Sequence, residues 1–134
     1  MNPQEAYNEI REYFTRPDAQ LSRQGYTCFY RHPEDGRKCA VGAVLTDEEH
    51  AAMLAEKQAQ IREAYPDKLE YTATLSGTVG LIKGLNSFPS RLLDGTTLRF
   101  LDRAQLEHDT AQSVTEFVNK LDKIANEAGL KVAA

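Results

Sequence analysis

Residues 25–50 read GYTCFYRHPEDGRKCAVGAVLTDEEH, and this stretch carries the strongest local signals in the chain. Residues 26–31 are rich in aromatic and β-preferring types, and residues 38–45 are small and apolar. An Asp-Gly pair between two such runs favours a tight turn, because glycine adopts the positive φ that the turn requires. The pattern therefore predicts a β-hairpin with its turn at Asp35 and Gly36.

The two cysteines of the chain fall on this predicted hairpin. A two-residue turn would place Cys28 opposite Ala43, and a three-residue turn would place it opposite Gly42, so neither register brings it to Cys39. A disulfide prefers a Cα separation of about 5.5–6 Å. We therefore expect both cysteines to be thiols.

Capping signals predict the first two helices. Thr46 followed three positions later by Glu49 forms a capping box, which predicts a helix from Asp47 to about Ala64. Near the N-terminus, Asn2 is a suitable cap and Pro3 a suitable first residue for a helix over residues 3–14.

The apolar pattern predicts further helices in the second half of the chain. Residues 76–85 look helical, and a long apolar stripe follows Thr96 or Thr97 and runs to residue 128. This stripe fits one long helix or two helices broken near residues 108–110. We therefore predict an α+β fold, mostly helical, in which one β-hairpin packs against four or five helices within a single domain, residues 1–134.

Composition excludes several classes of protein. The chain has 134 residues and a net charge of −4, which argues against general nucleic-acid binding through a basic face. It has no apolar run of the roughly 18 residues that a membrane span needs. The start of the chain lacks the basic and apolar regions of a secretory signal. Together with the two thiols, this predicts a protein of the cytoplasm.

A thiol- or metal-dependent enzyme is an alternative that the cysteines raise. Cys28 and Cys39 could act with His32 or His50, but their spacing matches no common zinc module. The His108-Asp109 pair is similar to part of a metal-dependent phosphohydrolase site, yet such sites need more histidines than this chain has. We therefore assign no catalytic residue, metal or cofactor, and favour a binding protein over an enzyme.

A motif in the predicted hairpin resembles a family of small phage and bacterial proteins. The pattern is C-x-Y-R at residues 28–31, then a D-G turn and K-C-A-V-G at residues 35–42, and an Asp-Glu pair at residues 47–48. Members of that family have Ile-Pro before the Asp-Glu pair, where this chain has Leu45 and Thr46. The family carries no assigned activity, so the resemblance implies a phage- or prophage-like origin and no particular chemistry.

Basic and aromatic side chains on or beside the hairpin form the predicted partner-binding surface. Arginine and tyrosine are enriched among the residues that dominate protein interfaces. The sequence thus predicts a binding or regulatory protein that acts on a protein partner. A further alternative is a self-associating structural protein, a homodimer that uses the C-terminal stripe as a helix–helix seam. The predicted contact residues are Arg23, Tyr30, Arg31, Arg37 and Lys38, and Tyr26 lies beside them.

Overall fold

The computed structural model of the protein describes residues 1–24 and 27–133. Tyr26, at the start of the predicted hairpin, lies outside these residues. Most of the described part is helical, and two short 3-10 turns, Val79–Leu81 and Ser90–Leu92, lie between the third and fourth helices. The α-helices are α1 (Pro3–Phe14), α2 (Ala40–Val44), α3 (Asp47–Ala64), α4 (Gly95–Thr110) and α5 (Val114–Glu127).

The core lies between four of these helices. Helix α1 contacts α2, α4 and α5, and α4 contacts both α2 and α5. Phe14 and Phe117 meet edge to face at the centre, with ring centroids 4.8 Å apart. The apolar side chains of the C-terminal stripe, such as Leu101 and Leu121, are buried in this core. The stripe thus packs within the chain, and a homodimer through it stays a prediction.

The predicted helices α1 and α3 form over the predicted residues. Asn2 caps α1, and its side chain accepts a hydrogen bond from the Glu5 N–H. Thr46 and Glu49 form the predicted capping box, with both reciprocal hydrogen bonds present. These helices are predictable because a cap and its helix lie within one turn of sequence.

Helix α3 is mostly solvated. Met53 is its one buried residue within the described part of the chain. Hydrogen bonds from the backbone of Asn86 and Ser87 to Glu56 fix it to the chain that follows. Although α3 is the longest helix described, neither it nor any other described helix is long and apolar enough to cross a membrane.

The long C-terminal stripe forms two helices. Helix α4 begins one residue after Asp94, whose carboxylate accepts from the N–H groups of Thr96 and Thr97. The predicted cap, Thr96 or Thr97, is therefore wrong by two or three positions. The break falls at residues 111–113, where the Ser113 hydroxyl accepts from the Glu116 N–H and starts α5.

The predicted β-hairpin is wrong, and with it the α+β class. The described strands are β1 (Arg23–Gln24) and β2 (Thr27–Cys28), which pair antiparallel over two residues each. The Asp-Gly turn does form, and Gly36 has a φ of 75°. Beyond this turn, however, the pairing is a single bridge between Arg31 and Lys38, a register that fits neither predicted alignment. The described fold is therefore a helical domain with one short strand pair.

Residues 40–44 form a helix where the hairpin needed a strand. The Cys39 Sγ accepts a hydrogen bond from the Gly42 N–H at 3.3 Å, so this cysteine caps α2. The Val41 N–H donates to the Gln105 side chain of α4 at 3.0 Å. Nearly every residue of α2 is buried, so the run lacks the two-faced pattern that marks a half-exposed strand.

Residues 76–85 also differ from their prediction, because they contain only the short turn Val79–Leu81 instead of an α-helix. Gly77 has a φ of 80°, which an α-helix does not contain. The Val79 N–H is instead bound by the Asp102 carboxylate of α4.

Candidate functional site

The five predicted contact residues divide between the interior and the surface. Tyr30 is fully buried, and its hydroxyl donates to the Gly77 carbonyl at 3.0 Å, so a partner of the folded chain cannot reach it. Arg23 is half-buried beside the end of α4. The remaining three, Arg31, Arg37 and Lys38, lie together at the surface where the turn joins α2.

Arg23 closes the carboxyl end of α4. Its guanidinium donates to the carbonyl oxygens of Asp109, at 3.0 Å, and Ala111. The last carbonyls of a helix have no partner within the helix, and a cation there also favours the negative end of the helix dipole. The geometry therefore gives Arg23 a structural role.

Next to Arg23 lies a buried polar cluster, formed by Cys28, Gln105, His108 and Asp109. The Gln105 amide donates to the Asp109 carboxylate at 2.7 Å. The same carboxylate oxygen lies 3.1 Å from Nδ1 of His108, a residue with no exposed surface. The cluster thus joins α4 to β2 through Cys28, which lies against Asp109.

This polar cluster contains three potential metal ligands within 4.8 Å of one another: Cys28, His108 and Asp109. It includes the His108-Asp109 pair that the sequence singled out, but neither Cys39 nor His32 or His50. The Ser22 N–H donates to Nε2 of His108 at 3.2 Å, so Nδ1 carries the ring proton and donates to Asp109. A metal at Nδ1 would turn Nε2 into a donor facing another donor. The hydrogen bonding therefore fits a structural histidine better than a metal ligand.

The two thiols are poorly suited to nucleophilic chemistry. Burial raises the pKa of Cys28 to about 11, and the nearby Asp109 carboxylate adds to this effect. Burial also raises the pKa of Cys39, which has no exposed surface. Because the thiolate is the reactive species, both groups remain protonated and inert at neutral pH.

We expect both thiols to react slowly with iodoacetamide in the folded protein. Raising the Cys28 pKa from 9.0 to about 11 lowers its thiolate fraction at neutral pH by roughly a hundredfold, before any effect of restricted access. Mass spectrometry of timed samples would give the rate at each cysteine. The same protein in denaturant is the control, and there both thiols should be alkylated at the rate of a free cysteine. Rapid labelling of either cysteine under native conditions would contradict the burial described here.

A second feature is the basic surface, formed by Arg16, Arg31, Arg37 and Lys38. The Tyr13 ring lies between two of these cations, with the Arg16 Cζ and the Lys38 Nζ each 5.5 Å from its centroid. The Tyr13 hydroxyl accepts from the Lys38 N–H at 3.0 Å. This hydrogen bond fixes the start of α2 to the end of α1 and brings the cations together.

Carboxylates neutralise only part of the basic surface. Arg31 pairs with Asp47, and Arg37 pairs with Asp35. Burial lowers the pKa of Lys38, and the nearby charges of Arg31 and Arg16 lower it further, while Asp47 opposes them. Lys38 thus lies near two other cations and one carboxylate.

Sequence reasoning missed Arg16 and Gln105. Tyr13 lies in the last turn of α1 and Arg16 lies two residues after the helix ends, so their contact depends on how the chain turns there. Gln105 and His108 continue the buried face of α4 that begins with Leu101, so each is a polar residue at a core position. A polar residue at such a position indicates a buried hydrogen bond, and this signal could have identified Gln105 as part of a buried polar cluster.

Comparisons of the chain with protein-family models, curated proteins and solved structures gave no match. The fold, the polar cluster and the basic surface define this protein as a helical domain with a structural polar cluster and a basic surface. The resemblance to phage and bacterial proteins stays a prediction.

Proposed function

We propose that the protein is a cytoplasmic binding or regulatory module whose basic surface binds an acidic segment of a protein partner. The observation that carries this proposal is the grouping of Arg16, Arg31 and Lys38, with Arg37 next to Lys38 in the chain, on a protein whose net charge is −4. Complementary charge steers a partner and fixes its orientation. The phage- or prophage-like origin is part of the proposal and depends on the resemblance of residues 28–48 alone.

A protein partner suits this surface better than a nucleic acid. The four cations are interspersed with the carboxylates of Asp35 and Asp47. A phosphate backbone would approach both carboxylates, and affinity for it depends on many unopposed cations. An acidic protein segment can instead place its own cationic or polar groups against the two aspartates.

The alternative of a small thiol- or metal-dependent enzyme has weaker support. Both thiols have raised pKa values because they are buried. Each nitrogen of the His108 ring already has a hydrogen-bond partner. The polar groups nearest the cysteines are thus already engaged in hydrogen bonds that stabilise the fold.

The test reverses the charge of two surface residues that contribute little to the core. We expect the variant Arg37→Glu with Lys38→Glu to lose a partner that the wild-type protein captures from bacterial lysate, with recovery reduced roughly tenfold or more. Quantitative mass spectrometry of the captured material gives the recovery. Circular dichroism melts would establish that the variant is folded.

A matched control has the same change of charge elsewhere. Lys83 and Lys123 are both exposed and lie outside the basic surface, so Lys83→Glu with Lys123→Glu should capture the partner as the wild type does. Equal capture by all three proteins would show that the basic surface is not the contact. Capture of no stoichiometric partner by the wild type would contradict the binding function itself.

A further inference from the structure

A cavity lies beside the basic surface, between residues 31–33, helix α3 and the extended residues 72–75. Its volume is about 310 Å³. Ligand pockets commonly range from about 300 to 1,000 Å³, so this cavity suits a small group. The polar cluster does not use it, and of the basic surface only Arg31 lines it.

Three of the residues that line the cavity can donate hydrogen bonds or carry positive charge. These are Arg31, His32 and His50. His32 accepts from the Glu34 N–H at its Nδ1, so its Nε2 carries the proton. None of the described residues that line the cavity is acidic.

The position of Arg31 is fixed from outside the cavity. Its guanidinium donates to the Leu45 carbonyl at 3.1 Å and pairs with Asp47. The Arg31 Nε, like the Arg23 Nε at the end of α4, is buried and has no hydrogen-bond partner among the described residues. An unpartnered buried donor is uncommon in folded proteins and calls for an explanation such as a missing ligand or water.

The charges beside the cavity affect the pKa of His50, one of its two histidines. Burial lowers the pKa of His50, and the positive charges of Arg31 and Lys38 lower it further, while Asp47 opposes them. Arg31 and Lys38 thus lie close enough to His50 to act on its charge, with Asp47 acting in the opposite sense.

Apolar side chains also line the cavity. They are Leu54 of α3, one turn after His50, and Ala73 and Leu75 of the extended segment, which alternate with Thr72 and Thr74. Gln58 fixes this segment, because its amide accepts from the Ala73 N–H at 2.8 Å and donates to the Tyr71 carbonyl at 3.0 Å. The cavity therefore offers both cationic and apolar side chains to a ligand.

We propose that this cavity binds a carboxylate carried on a short branched aliphatic group. The carboxylate would lie toward Arg31, His32 and His50, and the aliphatic group would pack on Leu54, Ala73 and Leu75. Such a group occurs in a free branched-chain carboxylic acid and at the end of a protein chain that finishes in leucine. The proposal does not depend on the protein partner proposed above.

The test is a titration of the folded protein followed by amide chemical shifts in NMR spectra. We expect 4-methylpentanoate to cause saturable shifts at residues 31–33, 50, 54 and 73–75. The uncharged 4-methylpentan-1-ol should bind roughly tenfold more weakly or worse, since a hydrogen bond to a charged group contributes more than one to a neutral group. Absence of saturable shifts, equal binding of the alcohol, or shifts confined to another surface would each overturn the proposal.

Two variants locate the binding. Arg31→Gln should weaken it roughly tenfold or more, because the charge is lost. Leu54→Trp should block the cavity without changing any charge, so the proposal can still be tested if Arg31→Gln does not fold. Arg99→Gln, which removes an exposed arginine outside the cavity, is the control and should bind as the wild type does. Wild-type affinity in a folded Leu54→Trp protein would overturn the assignment to this cavity.

A second ligand distinguishes the two sources of the carboxylate. N-acetylleucine presents the carboxylate of a C-terminal leucine together with its amide. Tighter binding of N-acetylleucine than of 4-methylpentanoate would support a protein C-terminus as the ligand, and the reverse order would support a free acid. Failure of the charge-reversal experiment leaves this result unaffected, because that experiment changes Arg37 and Lys38 outside the cavity.

Discussion

Gly42→Ala should destabilise the protein by about 3 kcal/mol or more, because a larger side chain in a packed interior forces the backbone to move. A Cβ atom at residue 42 would overlap the Tyr30 carbonyl oxygen and lie 2.8 Å from the carbonyl carbon. Backbone atoms cannot rotate away as the end of a side chain can, so α2 and the Tyr30 segment would have to separate. Urea unfolding of the wild type and the variant would measure the free-energy difference.

A second glycine provides the control for this substitution. Gly84 has nothing within 4 Å of an added Cβ, and its φ is not positive. Gly84→Ala should therefore change the free energy of unfolding by no more than about 0.5 kcal/mol. If Gly42→Ala proved equally mild, the close approach of α2 to Tyr30 would be wrong.

His108→Ala should cost about 3 to 4 kcal/mol of stability, through a core cavity and a lost buried hydrogen bond. The His108 ring is fully buried, with its centroid 5.7 Å from that of Phe14 and 5.5 Å from that of Phe117. Its removal would also leave the Ser22 N–H without its partner, and the Asp109 carboxylate would keep only its hydrogen bond from Gln105 within the cluster. Urea unfolding again measures the loss.

Leu106→Ala is the control for this second prediction. Leu106 lies on the same helix, two positions from His108, but 60% of its surface is exposed. Its replacement should change the free energy of unfolding by about 0.5 kcal/mol or less. A His108→Ala protein as stable as Leu106→Ala would mean that the polar cluster does not support the core.

The candidate sites were only partly predictable from sequence. Arg31, Arg37 and Lys38 lie near one another in the chain, so their grouping followed from local spacing. Tyr30 belongs to the same stretch but points into the core, where its hydroxyl finds the Gly77 carbonyl. The direction of a side chain from an irregular segment depends on what packs against it, and local sequence does not contain that information.

The sequence by itself determined the features whose causes lie within a few residues. Helices α1 and α3 are examples, because Asn2 and Thr46 each bond to a backbone N–H three positions away. The turn at Gly36 is another, because only its own backbone must adopt a positive φ. Such interactions form with little loss of chain entropy, so a local pattern predicts them well.

Only the tertiary structure decided that residues 40–44 form a helix and that Cys28 meets His108. Helix α2 depends on the Gln105 side chain, 64 positions from the Val41 N–H that it binds. The Ser22 N–H and His108 are 86 positions apart, and Cys28 comes to the same place through the strand pair. In both cases the deciding contact comes from α4, and it exists only once α4 has packed against α1 and α5.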